Sequence, residues 1–251
     1  MLAAAVMGYV FLYLPLAVVV LFSFNAAPTS TDFTGFSIHW YRVLLHDREM
    51  LLAAKNSFLI AAVASLASTF LGTLAAFAMQ RWRAWFFSFL LFGPMAVPEV
   101  LMGVSLLLFF VLCGFPLGMI SIILAHIAFC VSFVAILVAS RLMEMDPLLL
   151  DAALDLGATP QQAFWRITLP FITPAVAAGF LLAYTLSIDD FVITFFTAGP
   201  GASTLPVRIF SIIRLTVTPE VNAISTLLLA VSVTLILFAQ RLLPGFFRTS
   251  S

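Results

Sequence analysis

Charge is what this chain lacks. Acidic and basic residues together fill 9% of its 251 positions, where an average soluble domain carries roughly 25%. Eleven positive side chains balance eleven negative ones, so the net charge is zero and no basic field suggests a nucleic-acid partner. Lys55 is the only lysine and no glycine-rich loop precedes it, which excludes the phosphate-cradling loop of a nucleotide hydrolase. Any ATP has to be hydrolysed by another chain. The two cysteines, Cys113 and Cys130, fall in apolar sequence at a spacing that suits neither a metal site nor a disulfide framework, and read as small core residues. No Ser-His or metal-ligand pair stands out, so no catalytic residue, metal or resident cofactor is expected.

What the chain has in abundance is apolar sequence, 63% of the total. Uncharged runs of this length read as membrane-spanning helices, because lipid offers no partner for a free backbone amide or carbonyl. Six spans can be drawn in one transmembrane domain covering residues 1–251, at about 3–24, 56–79, 85–112, 118–140, 171–198 and 221–241. The first lacks the basic start and small-residue cleavage site of a secretory signal and is expected to stay in the membrane; its apolar opening, without flanking Arg or Lys, is compatible with a natural start further upstream. Residues 25–55 form a polar segment with a helix whose apolar face is Ile38, Tyr41, Leu44, Leu45, Leu51 and Leu52. Residues 80–84 and 113–117 are tight turns, and 199–220 is a second long connection. Trp40, Tyr41, Trp82 and Trp85 read as interfacial anchors. In the second span two rows of small residues, Ala64, Ser68, Gly72 and Ala76 beside Ala61, Ser65, Thr69 and Thr73, allow close helix approach, most simply within one subunit.

Between the fourth and fifth spans lies a polar island, 141–170, with helix punctuation at both ends. Asp146-Pro147 is a cap followed by proline at the first helical position, Gly157 ends that helix, and Thr159-Pro160-Gln161-Gln162 starts another with a capping-box pattern. Leu169-Pro170 closes it. Asp151 and Asp155 share one helical face, and Leu150, Ala153, Leu154 and Gly157 gather on another.

Within the island, Asp151-Ala152-Ala153 is followed after three residues by Gly157 and after nine more by Ile167-Thr168-Leu169-Pro170. This resembles the acid-Ala-Ala loop of ABC importer permeases, with Asp151 where that family usually shows Glu. Ser187 to Thr194, Gly199-Pro200-Gly201, Thr204-Leu205-Pro206, Ile209-Phe210-Ser211 and Thr218 to Ala223 extend the likeness to the smaller permease subunit of spermidine/putrescine ABC transporters. The resemblance implies an all-α, six-span type I importer permease (MetI-like) fold in the bacterial inner membrane. It implies Asp151, Ala152, Ala153, Gly157, Ile167, Leu169 and Pro170 as the ATPase-coupling element, and as partners a cytoplasmic ATPase dimer that binds ATP and Mg, a second permease subunit and a periplasmic receptor. The basic residues, ten arginines and Lys55, divide six to five between the two sides, so orientation follows the loop instead, which meets an ATPase only in the cytoplasm; both termini then lie inside.

Three acids stand inside the apolar spans: Glu99, Asp189 and Asp190. Charge at that depth is expensive and marks a functional candidate. Counted along straight helices, Glu99 lies about 21 Å into the third span and Asp189 about 25 Å into the fifth. Gly93-Pro94 and Pro98 interrupt the helix near Glu99, as in spans that line a water-filled cavity. Glu99 and one of the aspartates are expected to face a pathway and attract a polycation. Adjacent aspartates on a helix point about 100° apart, so both are not expected to face one lumen. The structural alternatives are an aspartate capping a break in the fifth span or pairing with Arg208 or Arg214, and Glu99 as an interhelical partner. His126 reads as a hydrogen-bonded packing residue rather than a proton carrier. Rival cargoes are ferric iron, thiamine and phosphonate, the last poorly served by acids; the rival mechanism is a proton-coupled secondary transporter using Glu99, His126 and Asp189, which leaves the Asp151 loop without a role.

Overall fold

The computed structural model describes residues 2–27, 32–82, 85–214 and 219–242, and the chain is helical nearly throughout. Apolar residues on all sides, rather than on one stripe, are what a helix in lipid requires. Among the described residues three helices are long and apolar enough to cross a membrane, Arg48–Arg81, Met119–Met143 and Pro160–Asp189. Phe89–Ala96 with Glu99–Leu112 makes a fourth if that bent pair is one span, and Val6–Phe22 and Pro219–Thr234 are apolar but shorter. The side chains of Trp82, Trp85 and Arg241, and all of Arg83 and Arg248, lie outside the described residues.

Two compact units divide the chain. The first comprises Met1–Lys55 and Ser203–Leu237. It contains α1 (Leu2–Phe22), α2 (His39–His46), the start of α3 (Arg48–Trp82), and, from the second half of the chain, α11 (Leu205–Ile213) and most of α12 (Pro219–Leu242). Leu44, Met50, Leu205, Ala223 and Ile224 form its buried cluster, with Trp40, Tyr41, Ile209 and Ile212 packed on it. Asn25 organises the turn after α1: its Oδ1 accepts from the amides of Ala27 and Thr34, at 3.2 and 3.0 Å. Its Nδ2 donates to the Asp32 carbonyl at 2.7 Å. Arg208 pairs with Glu49 at 2.5 Å.

Two expectations change in this unit. Residues 48–55 belong to α3 and not to a separate surface helix, because Asp47 caps that helix by accepting from the amides of Glu49 and Met50. The buried positions from 38 to 55 are accordingly Leu44, Met50 and Ala53, while Ile38, Leu45, Leu51 and Leu52 are exposed. Trp40 and Tyr41 are tied to protein: the indole N–H donates to the Asn25 carbonyl at 3.0 Å, and the phenol hydroxyl meets Ser23 Oγ at 2.7 Å.

The second unit holds Asn56–Ala202. Its axis is α6 (Met119–Met143), which packs against α4 (Trp85–Ala96), α9 (Leu169–Asp189) and α10 (Val192–Thr197); α5 (Glu99–Leu112) packs on α10. The buried cluster runs along α6 through Ala125, Phe129, Val134, Val138 and Leu142. The small-residue face of α3 is used within this unit. A Cβ on Gly72 would stand 2.7 Å from Val134 Cβ, Ala61, Ala64, Ser65, Ser68 and Ala76 are buried, and Ser68 Oγ donates to the Ile127 carbonyl at 3.5 Å.

Both acid-bearing spans are broken. The segment expected as one span over 85–112 bends by 112° between Ala96 and Glu99, so a depth counted along a straight helix does not apply to Glu99. Pro98 adopts an extended conformation, φ −54° and ψ 135°, and Glu99 begins a new helix. The fifth span stops at Asp189 and restarts at Val192. Conversely, no break exists at Leu169-Pro170. The short helix α8 (Pro160–Ala163) runs through a π turn, Phe164–Thr168, directly into α9. Pro170 has no N–H to return to the carbonyl of Arg166, nor Pro174 to that of residue 170, and the wider turn just before them absorbs the misfit.

Candidate functional site

The loop after α6 is built by its own side chains. Asp146 Oδ1 accepts from the Leu148 amide at 2.9 Å, and Pro147 follows it at the first position of α7 (Pro147–Asp155). Gly157, at φ +86°, ends the helix with amides returning from Gly157 to Leu154 and from Ala158 to Ala153, at 2.9 and 3.0 Å. Nothing lies within 4 Å of a Cβ added there, so the glycine is required by backbone conformation alone. Thr159 and Gln162 then close a reciprocal box, amide to Oε1 at 2.9 Å and amide to Oγ1 at 3.3 Å. The result is a rigid helix-turn-helix on two adjoining spans.

Its surface is apolar as well as acidic. Leu148 and Leu156 are 69% and 89% exposed, and Leu149, Leu154 and Trp165 are open too. Asp151, Ala152, Asp155 and Gly157 are exposed, while Leu150 and Ala153 are half-buried. Leu154 therefore joins the open surface and not the covered one. Ile167 and Leu169 are half-covered and Pro170 is exposed. Uncovered leucines beside two free carboxylates make a surface suited to a protein partner bearing Arg or Lys. Arg141 braces the loop's two ends. Its guanidinium lies 4.1 Å over the Phe171 ring, its Nε donates to the Phe171 carbonyl at 3.3 Å, and it pairs with Glu144 at 2.6 Å. Sequence spacing reveals the Glu144 partner but not Phe171, 30 residues away.

At the breaks the three intramembrane acids separate. Glu99 is exposed at the start of α5, and Asp189 is exposed at the end of α9. Asp190 is closed off: its side chain is 6% exposed. It accepts from the amides of Ile193 and Thr194, at 3.3 and 2.8 Å, and from the Thr194 hydroxyl at 2.8 Å. His126 completes the group from α6, Nε2 lying 2.9 Å from Thr194 Oγ1 and 3.2 Å from Asp190 Oδ2, and Nδ1 lying 2.7 Å from Ser187 Oγ. Among the described residues the ionic partner of Asp190 is His126, and Arg208 is held by Glu49. The reading of His126 as a hydrogen-bonded packing residue agrees with this geometry. Ser187 and Thr194 were not singled out by sequence reasoning, because serine and threonine are common in apolar helices and their partner lies more than sixty residues away.

α5 and α10, the two restarted helices, lie in contact. A Cβ on Gly103 would meet the Phe196 ring at 2.7 Å and the Val192 carbonyl at 3.4 Å, so the small residue is what admits the approach. Among the described residues no group of three or more His, Cys, Asp or Glu could hold a metal ion.

Comparison with known proteins gives concordant matches. The profile of the family described as binding-protein-dependent transport system inner membrane component matches residues 68–248. The putrescine transport system permease protein PotI of Escherichia coli (strain K12) is 46% identical over 233 residues, 89% of this chain and 83% of that protein. The spermidine/putrescine transport system permease protein PotC of the same strain is 39% identical over 235 residues, 92% of this chain and 89% of that one. Among solved structures, a bacterial ABC transporter involved in the import of the acidic polysaccharide alginate superposes with a TM-score of 0.75 at 16% identity, covering 99% of this chain and 95% of that chain. That likeness is one of fold.

Proposed function

We propose that this chain, which belongs to the binding-protein-dependent transport system inner membrane component family, imports polyamines such as putrescine and spermidine, the substrates named for PotI and PotC. It is an ABC importer permease subunit and not an enzyme, and ATP is hydrolysed by a separate subunit. The observation that carries the polyamine reading is that two exposed carboxylates, Glu99 and Asp189, each stand at the break of an otherwise apolar span. A flexible polycation stripped of water needs fixed negative charge along its route, and carboxylates at such breaks lower the barrier to entry without a closed cage that would slow release.

The loop from Asp151 to Gly157 docks on the ATPase dimer, which alone binds ATP and Mg. Two capped helices resist bending, so a displacement of the docked surface passes through α8 and the π turn into α9, the helix that ends at Asp189. With ATP bound the pathway opens toward a periplasmic receptor; after hydrolysis it opens inward. A second permease subunit supplies the other wall. The loop then faces the cytoplasm, with both termini on that side of the bacterial inner membrane. Ile167, Leu169 and Pro170 act as the stiff continuation of the loop into the span.

The test is uptake of labelled putrescine by the assembled complex. Glu99→Gln and Asp189→Asn are each expected to raise the KM roughly tenfold, equivalent to about 1.4 kcal/mol, with ATPase assembly unchanged. Uptake indifferent to both substitutions refutes cation attraction by these acids, and uptake that ignores excess unlabelled spermidine refutes the polyamine assignment.

A further inference from the structure

His126 is buried to within 2% of full burial, and it touches three positions that straddle one helix break: Ser187 before it, Asp190 in it and Thr194 after it. The direction of the bond at Nε2 is fixed by bookkeeping. The Thr194 hydroxyl donates to Asp190 Oδ2, so its oxygen is an acceptor toward the ring, and Nε2 must carry a proton. Nδ1 and the Ser187 hydroxyl share the other bond, at 2.7 Å. Asp190 in turn accepts two amides and one hydroxyl, and its Oδ2 lies 3.2 Å from Nε2. With its side chain 6% exposed, Asp190 is shielded from a passing ammonium group.

Asp189 is the immediate neighbour, the last residue of α9, and it is exposed. Its backbone lies between Ser187 and Asp190, two residues pinned by the same imidazole. We propose that His126 is a positioning residue for transport: by tying Ser187, Asp190 and Thr194 to α6 it locks the break between α9 and α10, so that Asp189 alone of the acid pair is presented to the substrate. The proposal rests on the pathway reading above and assigns to His126 what sequence reasoning treated as packing. It also gives the adjacent aspartates opposite duties, one anchoring and one contacting.

The experiment is a double-mutant cycle on KM for labelled putrescine, measured with the complete transporter and its receptor in membranes. His126→Leu removes both nitrogens, and loss of a buried bond to a charged group is expected to cost about tenfold or more. Asp189→Asn is expected to do the same. If His126 acts through Asp189, the double variant is no worse than about threefold beyond either single variant; independent roles predict the product of the two, which overturns the proposal. His126→Gln, which keeps a donor and an acceptor, is expected to restore most of the affinity. A second readout replaces Asp189→Cys in a chain lacking Cys113 and Cys130: its reaction rate with a charged thiol reagent is expected to fall several-fold when His126→Leu is added, and an unchanged rate overturns the proposal. Should Asp189→Asn leave KM unaltered, the pathway reading fails and the thiol rate still decides whether His126 sets the position of residue 189. If His126→Leu does not assemble, Ser187→Ala and Thr194→Val each remove one arm of the clamp and replace it in both measurements.

Discussion

Gly199 offers the sharpest numerical test of the packing described here. A Cβ built on it would lie 2.0 Å from the Leu117 carbonyl oxygen, 2.4 Å from the carbonyl carbon and 2.9 Å from the Gly118 nitrogen. Ordinary carbon-to-oxygen contact is about 3.3–3.6 Å, so alanine here must push two backbone segments roughly 1.3 Å apart. Neither is a flexible side chain able to step aside. The same junction holds Ser121, whose Oγ takes the Gly118 amide at 2.7 Å and lies 2.8 Å from the Thr197 carbonyl, with the latter bond buried. Separation of the segments breaks that bond as well. Overpacking costs typically 1–3 kcal/mol and a buried hydrogen bond about 1, so Gly199→Ala should destabilise by roughly 2–4 kcal/mol. For a chain of this size each kcal/mol is worth about 2–4 °C. The complex purified in detergent should therefore lose roughly 5–15 °C in its Tm. Gly93→Ala is the matched control: it sits inside a helix with nothing within 4 Å of the added carbon, and is expected to be neutral or stabilising by up to about 1 kcal/mol. A Tm for Gly199→Ala equal to that of the control would refute the contact between the end of α10 and the turn before α6.

Two further outcomes are expected. Asp146→Ala and Thr159→Ala each remove a cap that the proposed coupling loop makes for itself, at about 1 kcal/mol apiece; copurification of the ATPase should weaken and the ATP hydrolysed per molecule transported should rise, and an unchanged ratio would show that loop rigidity is not used. The π turn over Phe164–Thr168 carries one residue beyond α-helical register, so deleting Arg166 should leave a straight α-helix with both flanks in phase. Membrane levels should survive that deletion far better than deletion of Ala177 within α9, while transport falls; equal loss of both proteins would refute the account of the turn.

The loop from Asp146 to Gln162 was the most legible part of the molecule because its structure is local. Asp146, Gly157, Thr159 and Gln162 make their defining bonds within five residues, and caps of this kind can be read directly from spacing. The breaks near Glu99 and Asp189 were half legible. Prolines at 94 and 98 announced the first, but its 112° bend could not be derived from them. The second was foreseen only as an alternative, an aspartate capping a break in the fifth span; Asp190 does cap it, bonding forward to Ile193 and Thr194, but its contact with His126 was not legible. At Leu169-Pro170 spacing misled, because a proline in the first turn of a helix and a proline after a π turn look alike in one dimension.

By itself the amino-acid order determined that this chain lives in lipid, that it leaves ATP to another subunit, and that a capped acidic loop interrupts its apolar spans. Those conclusions follow from composition and from interactions within a turn or two. Only the tertiary structure decided which of the adjacent aspartates is free and which is bound, and why Gly103 and Gly199 must be small. The physical reason is distance along the chain: partners sixty to ninety residues apart are chosen by how helices pack, and an apolar helix presents no stripe from which that choice can be read.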